Sequence, residues 1–316
     1  MNDLALIAGN ANPDLAKKIS DELKVPLTKV VVSRFSEGEV RVEILENIRG
    51  KDLFIIQPTC PPVNDNLMEL LIMMDAAKRA SADRITVVVP YYGYARQDRK
   101  DQPRVPITAK MVANLIVAAG ANRVLCMDLH ANQIQGFFDI PVDHLYAIKV
   151  LCNYFKSKDL DNPVVVSPDV GGIKMARAYA KQLGAGLAIV DKRRYSPTET
   201  EVMHILGEVK GKTAIIVDDI CATAGSMVEA IGALKKAGVE EVYATVSHGV
   251  LSGPAIERIR ACKDLKELVI TDSLPLGEEK QSDNIKVVSI SSLLAEAINR
   301  IHDEESISVL FEDNKS

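Results

Sequence analysis

The 316-residue sequence predicts an α/β fold made of two doubly wound domains, each built around a parallel sheet. Short runs rich in Val and Ile alternate with longer segments whose apolar residues recur at helical spacing. Most of the short runs are apolar at every position, which is typical of strands covered on both faces. The alternation occurs twice, so we expect one domain over residues 1–147 and a second over residues 148–300, with residues 301–316 packed on the first.

The apolar runs predict eleven strands. They are LALIA (4–8), KVVVS (29–33), LFIIQ (53–57), ITVVVP (85–90), RVLCMD (123–128), PVVVS (163–167), LAIV (187–190), TAIIVD (213–218), VYATVS (242–247), LVIT (268–271) and IKVVSI (285–290). Helical periodicity predicts helices over 64–80, 108–119, 173–183, 225–237 and 292–302. Thr108 is the expected N-cap of its helix, and Gly120, Gly184 and Gly238 are expected helix ends. Residues 192–204 have no apolar period and predict a loop.

Composition limits the classes of function. Hydrophobic residues make up 47% of the chain and charged residues 26%, which is typical of a globular protein with a buried core. The net charge of -5 argues against a nucleic-acid-binding protein. The five cysteines are widely spaced, which favours reduced thiols and a cytoplasmic location. No apolar run is long enough for a membrane-spanning helix, so we expect no membrane partner.

The segment AIIVDDICATAGSM (214–227) is the most informative part of the chain. Asp218 and Asp219 end an apolar run, and small residues follow them at the start of a predicted helix. Backbone N–H groups at a helix N-terminus bind phosphate, whereas two carboxylates repel it and instead accept hydrogen bonds from hydroxyl groups. The spacing therefore favours a sugar-phosphate site, and the alternative is an aspartate helix cap followed by a glycine turn. The small residues are Thr223, Ala224, Gly225 and Ser226.

Two further carboxylates follow predicted strands. Asp128 and His130 are two residues apart, so an extended backbone would direct both side chains to one side, where they could bind a metal or metal-bound phosphates. The alternative is a histidine that only stabilises the fold. Asp169 precedes Gly171 and Gly172 at the start of another predicted helix, and a tight turn explains this pattern as well as a Mg²⁺ site does.

Three clusters could bind anions or bases. Arg96, Gln97 and Arg99 follow a strand, and the arginines can hold phosphates in bidentate fashion. The stretch DKRRYS (191–196) contains three cations, and a charged surface is the favoured interpretation. The alternative is a lid that neutralises charge during phosphoryl-type transfer. In RFSEGEVRVEI (34–44), an extended backbone would place alternate side chains on one face, but an amphipathic hairpin explains the spacing better. These alternate side chains are Phe35, Glu37 and Glu39.

Taken together, the motifs resemble ribose-phosphate pyrophosphokinases, the PRPP synthases, in their phosphate-activated bacterial and animal class. The matching segments are RFSEGE, YARQDRK, DLHANQIQGFFDIPVDHLYA, SPDVGG, DKRR followed by EVMHILG, VDDICATAGS and SISVLFED. They cover nearly the whole chain in the family's order. The resemblance implies two domains of type I phosphoribosyltransferase-like fold. It also implies transfer of the pyrophosphoryl group of ATP to the 1-hydroxyl of ribose 5-phosphate, with Mg²⁺ as cofactor.

The resemblance implies a role for each motif. Asp218 and Asp219 should hold the ribose hydroxyls, and residues 223–226 the 5-phosphate. Lys192 and Arg194 should stabilise the transition state from a mobile loop. His130 and Asp169, with Asp128 nearby, should engage the metal and the ATP phosphates, and His130 is also an expected catalytic residue. The residues expected to bind ATP are Phe35, Glu37, Glu39, Arg96, Gln97 and Arg99.

One position departs from the family pattern Asp-Asp-x-x-Asp-Thr-x-Gly-Thr. Ala222 replaces the third Asp, and Ser226 replaces the last Thr but keeps a hydroxyl. Because pyrophosphoryl transfer breaks no bond at C1 of the sugar, we expect altered affinity for ribose 5-phosphate and not an inactive enzyme. The alternative functions are a non-catalytic regulatory homologue of PRPP synthase and a phosphoribosyltransferase.

The resemblance also implies partners. Members of this class form hexamers built from dimers, are activated by phosphate and are inhibited by ADP at a subunit interface. We therefore expect a homo-oligomer, most simply a hexamer, with phosphate and ADP as effectors. The residues that match the neighbourhood of the effector site are Arg49, Ser81, Arg104, Ser306 and Ser308.

Overall fold

A computed structural model describes residues 3–193 and 202–310 of the chain, without the side chains of residues 192, 193 and 202. The chain divides into two compact units. Unit 1 comprises Met1–Tyr146, Ser273–Pro275 and Ser289–Ser316, and unit 2 comprises Ala147–Asp272 and Leu276–Val288. Each unit contains helices and a sheet of parallel strands, which confirms the predicted α/β class.

The first part of the chain contains β1 (Leu4–Ala8), α1 (Pro13–Leu23), β2 (Val30–Arg34), β3 (Val40–Ile44), β4 (Asp52–Ile56), α2 (Val63–Arg79), β5 (Arg84–Val89), α3 (Thr108–Ala119), β6 (Arg123–Met127) and β7 (Val142–Leu145). The second part begins with α4 (Ile148–Ser157), β8 (Pro163–Ser167), α5 (Ile173–Leu183), β9 (Gly186–Arg193), β10 (Val202–Leu206) and β11 (Thr213–Cys221). It continues with α6 (Gly225–Lys236), β12 (Glu241–Gly249), α7 (Ala255–Ala261), β13 (Leu265–Thr271), β14 (Ile285–Val288) and α8 (Ser291–His302).

Unit 1 is built on a five-stranded parallel sheet in the order β1-β4-β5-β6-β7. Ile7, Ile55 and Val87 project from one face into a core that α2 and α3 cover. The alternate residues, such as Phe54 and Val88, are also fully buried, so both faces of the sheet are covered. This two-sided burial explains why the strands are apolar at every position. Strands β2 and β3 form a separate antiparallel hairpin.

Unit 2 is built on a seven-stranded sheet in the order β10-β9-β8-β11-β12-β13-β14. All neighbours are parallel except β10, which runs antiparallel to β9 at one edge. The chain moves from β8 to β9 on one side and then returns to β11 on the other side. The strand order therefore reverses between β8 and β11, as in a doubly wound sheet. In unit 1 the strands instead follow chain order, so the predicted doubly wound order is observed in unit 2.

Several elements differ from the sequence-based expectations. Helices α1, α4 and α7 and strands β7 and β10 were not predicted, because they are short or lack a sustained apolar run. The N-cap of α1 is Asn12, whose side chain accepts a hydrogen bond from Leu15 N at 3.3 Å. The N-cap of α3 is Ile107 and not Thr108, which is the first helical residue. None of the described helices has the length and apolarity needed to cross a membrane.

Helix α8 belongs to unit 1, although the expected second domain extended to residue 300. It packs against α1, and a charged cluster joins its C-terminal end to β4 and β5. Arg84 donates two hydrogen bonds to the buried carboxylate of Asp52 at 2.8 and 2.6 Å, and a third to Ile301 O at 2.9 Å. Nδ1 of His302 lies 2.8 Å from the same carboxylate. This attachment explains why residues near 300 are part of unit 1.

The Asp52 cluster predicts a stability difference. Asp52→Ala leaves the Arg84 guanidinium poorly solvated and without its partner, and we expect a loss of about 3 kcal/mol in the free energy of unfolding. Asp75→Ala is the matched control, because it removes an exposed ion pair with Arg79 on α2 and should cost less than about 1 kcal/mol. Urea denaturation measures both values, and equal losses would contradict the role of the cluster.

Candidate functional site

The reversal of strand order in unit 2 marks the first part of the candidate site. In an open α/β sheet, ligands bind outside the carboxyl ends of the strands where the order reverses. Here the two central strands are β8 and β11, which pair from Pro163↔Thr213 to Val166↔Ile216. The segments that follow them carry Asp169 and residues 222–226. The topology therefore brings two of the predicted motifs to the same edge of one sheet.

Strand β11 is longer than the sequence predicted. It continues beyond its pairing with β8 because β12 still pairs with it, at Ile220↔His248 and Cys221↔Gly249. Asp218 and Asp219 thus lie within the strand, in the part that extends past β8. The Asp219 N–H donates to Oδ1 of Asp218 at 2.9 Å. Asp219 is buried and Asp218 partly exposed, so two carboxylates occupy a poorly solvated position at the edge of the crevice.

This environment changes the protonation of the pair. Burial and, to a smaller extent, the neighbouring charge of Asp219 together raise the pKa of Asp218 from its ordinary value to about 8. The charge of Asp169 makes a smaller contribution of the same sign. In the absence of ligand, the two adjacent carboxylates therefore hold a shared proton near neutral pH. A pair of this kind offers acceptors to hydroxyl groups and repels a phosphate.

Three successive carbonyl groups, at the end of β11 and in the turn that follows, accept hydrogen bonds from the segment after β12. Cys221 O accepts from Leu251 N at 3.0 Å, and Ala222 O accepts from Ser252 N at 2.7 Å. Thr223 O accepts from Nη1 of Arg258 at 2.9 Å. Ala224 then takes a left-handed conformation (φ 58°, ψ 7°), and α6 begins at Gly225. Successive N–H groups in a turn can form an anion-binding concavity, and the phosphate site at residues 223–226 stays a prediction.

Asp169 lies in the turn between β8 and α5. Its Oδ1 accepts a hydrogen bond from Gly172 N at 2.9 Å, and its backbone oxygen accepts one from the Ser167 hydroxyl at 2.7 Å. A Cβ atom at position 172 would lie 2.7 Å from the Ser167 hydroxyl oxygen, so glycine is required for this close approach. Because the Asp169 side chain is exposed, its carboxylate remains accessible to a ligand.

The extended backbone on which the expectation for Asp128 and His130 of unit 1 rested is not present. Strand β6 ends at Met127, and Asp128 has a φ of 37°, so the alternation of an extended backbone does not continue through it. The next N–H, that of Leu129, donates to Nε2 of His144 at 2.9 Å. Asp128 is buried, whereas His130 is exposed. Both nevertheless follow the carboxyl end of a central strand.

The arginine cluster follows β5 at the same end of the unit 1 sheet. Arg96 and Arg99 are exposed in an irregular segment. Gln97 is held more firmly, because its backbone oxygen accepts from Ala109 N at 3.1 Å and its Oε1 accepts from the Thr108 hydroxyl at 2.5 Å. The sequence had offered Thr108 as a helix cap, but its hydroxyl instead anchors Gln97 to α3.

The segment 35–39 is the turn of the β2–β3 hairpin and not an extended strand. Phe35 N donates to Glu39 O at 2.9 Å, and Gly38 provides the positive φ of 94° that the turn needs. The hairpin that the spacing favoured is therefore confirmed, and the extended backbone needed for a shared face is absent at this turn. Phe35 is 48% exposed, and the Ser36 hydroxyl lowers the pKa of Glu37 by donating to it. The turn thus presents an aromatic ring and two exposed carboxylates, Glu37 and Glu39.

The described parts of the predicted loop over residues 192–204 are strands. Lys192 lies in β9, where its backbone pairs with Met203 of β10. Both ends of the segment are therefore strands. Arg194 lies outside the described residues, and so does most of the expected lid.

No group of three or more His, Cys, Asp or Glu side chains is arranged to hold a metal ion among the residues that the structure describes. A Mg²⁺ ion does not need such a cage, because it keeps several waters and commonly binds one or two carboxylates together with substrate phosphates. The exposed Asp169 carboxylate fits this requirement. Asp128 provides oxygen ligands of the same kind, whereas the nitrogen ligands of His130 are less suited to Mg²⁺.

Two residues at the β11 turn were missed by the sequence analysis. Ser252 and Arg258 hold the carbonyl groups of Ala222 and Thr223, and they are 30 and 35 residues away along the chain. Ser252 and Arg258 belong to no motif in the sequence. Only the pairing of β11 with β12, which brings the segment after β12 beside the turn, reveals their position.

Comparison with known proteins identifies relatives of the whole chain. A family model described as the N-terminal domain of ribose phosphate pyrophosphokinase matches residues 4–120, and one described as a phosphoribosyl synthetase-associated domain matches residues 194–312. The chain is 57% identical over 311 residues to a ribose-phosphate pyrophosphokinase of Bacillus caldolyticus, with 98% of each chain covered. It is 55% identical over 309 residues to that of Bacillus subtilis, with 98% of this chain and 97% of the relative covered.

A solved structure agrees with these relatives. The crystal structure of phosphoribosylpyrophosphate synthetase from Mycobacterium smegmatis matches with a TM-score of 0.90 and 42% sequence identity. The match covers 96% of this chain and 99% of that one. Similarity in sequence and in fold thus extends over both units.

The raised pKa of Asp218 predicts how stability depends on pH. Unfolding returns this carboxyl to an ordinary pKa near ~4, so between about pH 4 and 8 the folded state holds a proton that the unfolded chain has released. The contribution to stability is therefore present at low pH and is lost as the pH rises through about 8. We expect Asp218→Asn, without metal or phosphate, to raise the melting temperature more at pH 9 than at pH 6.

The control for this prediction is Asp283→Asn, which neutralises an exposed carboxylate in the same unit. Its effect on the melting temperature should be small and similar at both values of pH. A stabilisation by Asp218→Asn that does not depend on pH would contradict the protonation assigned to the pair.

Proposed function

This chain belongs to the ribose-phosphate pyrophosphokinase family, and we propose that its two units each bind one of the two substrates of that reaction. The enzyme transfers the pyrophosphoryl group of ATP to the 1-hydroxyl of ribose 5-phosphate. The products are phosphoribosyl pyrophosphate, abbreviated PRPP, and AMP, and PRPP serves nucleotide biosynthesis. The observation that carries the assignment of substrates is the arrangement at the end of β11, where two carboxylates precede a turn whose carbonyl oxygens accept hydrogen bonds from other segments.

Ribose 5-phosphate binds to unit 2 in this proposal. The 5-phosphate accepts hydrogen bonds from the backbone N–H groups of residues 223–226, aided by the hydroxyls of Thr223 and Ser226. Asp218 and Asp219 accept hydrogen bonds from the ribose hydroxyls. The division follows from charge, because a phosphate is repelled by the aspartates and a hydroxyl is not. It also orients the sugar, since the phosphate and the hydroxyls are bound by different parts of one strand–turn–helix segment.

ATP binds to unit 1 in this proposal. The exposed ring of Phe35 can stack on the adenine, and Glu37 and Glu39 can accept hydrogen bonds from its amino group. Arg96 and Arg99 are positioned in one short segment to bind phosphate oxygens, and the anchored Gln97 can add a directed contact.

The proposed cofactor is Mg²⁺, held by Asp169, with Asp128 and His130 contacting the ion or the ATP phosphates. When bound, the ion supplies positive charge that stabilises the transferring pyrophosphoryl group. Lys192 and Arg194 add positive charge in the transition state, which is the main requirement of phosphoryl-type transfer. His130 is proposed as a catalytic residue on the same ground, because its exposed imidazole can donate a hydrogen bond to a phosphate oxygen.

Regulation and assembly are proposed by analogy with the family. The chain would form a homo-oligomer, most simply a hexamer, in the cytoplasm, with phosphate and ADP as effectors. The proposed effector-site residues have a local basis in unit 1. Gly50 N donates to Ser81 O at 2.8 Å, which brings the segment of Arg49 next to Ser81. The Ser306 and Ser308 hydroxyls are 2.7 Å apart, and Arg104 has a left-handed backbone (φ 65°).

The proposed reaction predicts its products directly. Incubation with ATP, Mg²⁺ and ribose 5-phosphate in phosphate buffer should release AMP and PRPP in equal amounts, measured by chromatography. Omission of ribose 5-phosphate should abolish AMP formation. No AMP in the complete mixture would contradict the proposal and favour a regulatory homologue. Consumption of added PRPP with a purine base would instead indicate a phosphoribosyltransferase.

Ala222 predicts a change in one kinetic constant. Its side chain is partly exposed at the proposed ribose site, where most of the family has a carboxylate. Ala222→Asp adds an acceptor for a ribose hydroxyl, and we expect the KM for ribose 5-phosphate to fall about fivefold, with kcat within about threefold of the parent. Steady-state kinetics with saturating ATP measure this. Unchanged constants would mean that the third position of the motif has no role in this chain.

A further inference from the structure

We propose that Arg258 is a positioning residue for the phosphate-binding turn, acting through the carbonyl group of Thr223. This inference rests on the proposed binding of ribose 5-phosphate at residues 223–226. It adds a residue from another element, α7, that lies outside the motif itself. The observation that carries it is the hydrogen bond from Nη1 of Arg258 to Thr223 O at 2.9 Å.

The planarity of the peptide bond explains why this contact matters. In a trans peptide, the C=O of one residue and the N–H of the next point in opposite directions. A donor that holds Thr223 O therefore fixes the plane of the whole peptide, whose N–H, that of Ala224, lies beside the Cys221 thiol. Without such a donor, the peptide group could rotate and present its carbonyl oxygen to the ligand. A carbonyl oxygen repels phosphate, so the orientation of this one peptide changes an attraction into a repulsion.

Arg258 completes a row of three such contacts. Leu251 N holds Cys221 O at 3.0 Å, and Ser252 N holds Ala222 O at 2.7 Å. These two donors are backbone groups and are present whatever the side chains. The carbonyl oxygen of Thr223 instead accepts its hydrogen bond from a side chain, that of Arg258. The row thus holds the carbonyl oxygens of residues 221, 222 and 223 in succession and keeps them from facing the ligand.

The geometry around Gly225 supports a specific fit. A Cβ atom at position 225 would lie 3.2 Å from Nη1 of Arg258, which is closer than most side chains tolerate. The absence of a side chain at Gly225 therefore allows the guanidinium to reach across the first turn of α6. Arginine also suits the position chemically, because its planar fork carries several N–H donors and a permanent positive charge. That charge lies beside a site proposed to hold a phosphate.

The alternative is that Arg258 only anchors α7 to the turn and contributes to stability. The two roles differ in their effect on the substrates. A positioning residue affects the affinity for ribose 5-phosphate and leaves the affinity for ATP unchanged. A general structural role would lower the melting temperature and affect both substrates or neither. The comparison of two KM values therefore separates these roles.

The test is steady-state kinetics of the full-length enzyme carrying Arg258→Met, with Arg258→Lys as the conservative variant. We expect Arg258→Met to raise the KM for ribose 5-phosphate about tenfold, with the KM for ATP within about twofold of the parent. Arg258→Lys, which keeps a charged donor, should raise it less. Arg260→Met is the matched control, since Arg260 lies on the same helix but donates to Gln281 O at 2.6 Å. Its kinetic constants should match those of the parent.

Two outcomes would overturn the inference. One is an unchanged KM for ribose 5-phosphate in Arg258→Met, and the other is an equal rise of both KM values together with a lower melting temperature. If Arg258→Met does not fold, the Lys variant decides, because it must still raise the KM for ribose 5-phosphate alone. These outcomes are distinct from failure of the proposed function, in which the parent enzyme itself would form no AMP or PRPP.

Discussion

The orientation of the peptide groups after β11 is the constraint on which the rest of the proposed site depends. An anion can bind there only if the N–H groups face it and the carbonyl oxygens do not. The protein meets this condition by holding three successive carbonyl oxygens on the segment that follows β12. That segment is adjacent because β11 and β12 are neighbours in a sheet that reverses its strand order at β8. The hydrogen bonds from the segment after β12 thus link the topology of the sheet to the conformation of the turn and to its proposed binding of an anion.

The protonation of Asp218 and Asp219 depends on how closely the two carboxylates are placed and how deeply they are buried. Their proximity and burial are unfavourable for two negative charges, and the raised pKa of Asp218 is the result. The unfavourable arrangement is maintained by the sheet, because β11 pairs with β12 at Asp218 and again beyond the aspartates, at Ile220 and Cys221. A third carboxylate at position 222 would add to this repulsion in the free enzyme. With Ala222, the proposed site has one hydrogen-bond acceptor fewer for the sugar but less repulsion among its carboxylates. The backbone carbonyl of Ala222 still accepts a hydrogen bond from Ser252 N.

The sequence predicted most of the central strands, because a buried parallel strand is apolar at every position, and these strands bring Asp169 and residues 222–226 to one edge of a sheet. It failed where local patterns compete with tertiary contacts. Alternation did not apply to Asp128 and His130, because β6 ends before them. Helices α4 and α7 were missed, and so was β10, which exists through its pairing with β9. The role of Arg258 could not be predicted, because its contact joins residues 35 positions apart and only the folded sheet brings them together.

The central claim is that the carboxylates bind the ribose hydroxyls and the turn binds the phosphate. The most direct measurement compares the affinity for ribose 5-phosphate with that for 2-deoxyribose 5-phosphate by calorimetry, in the parent and in a variant with Asp218→Ala and Asp219→Ala. We expect the parent to prefer ribose 5-phosphate by about tenfold and the variant to bind both sugars with nearly equal affinity. An undiminished preference in the variant would contradict the account, because the hydroxyl would then be recognised by other groups.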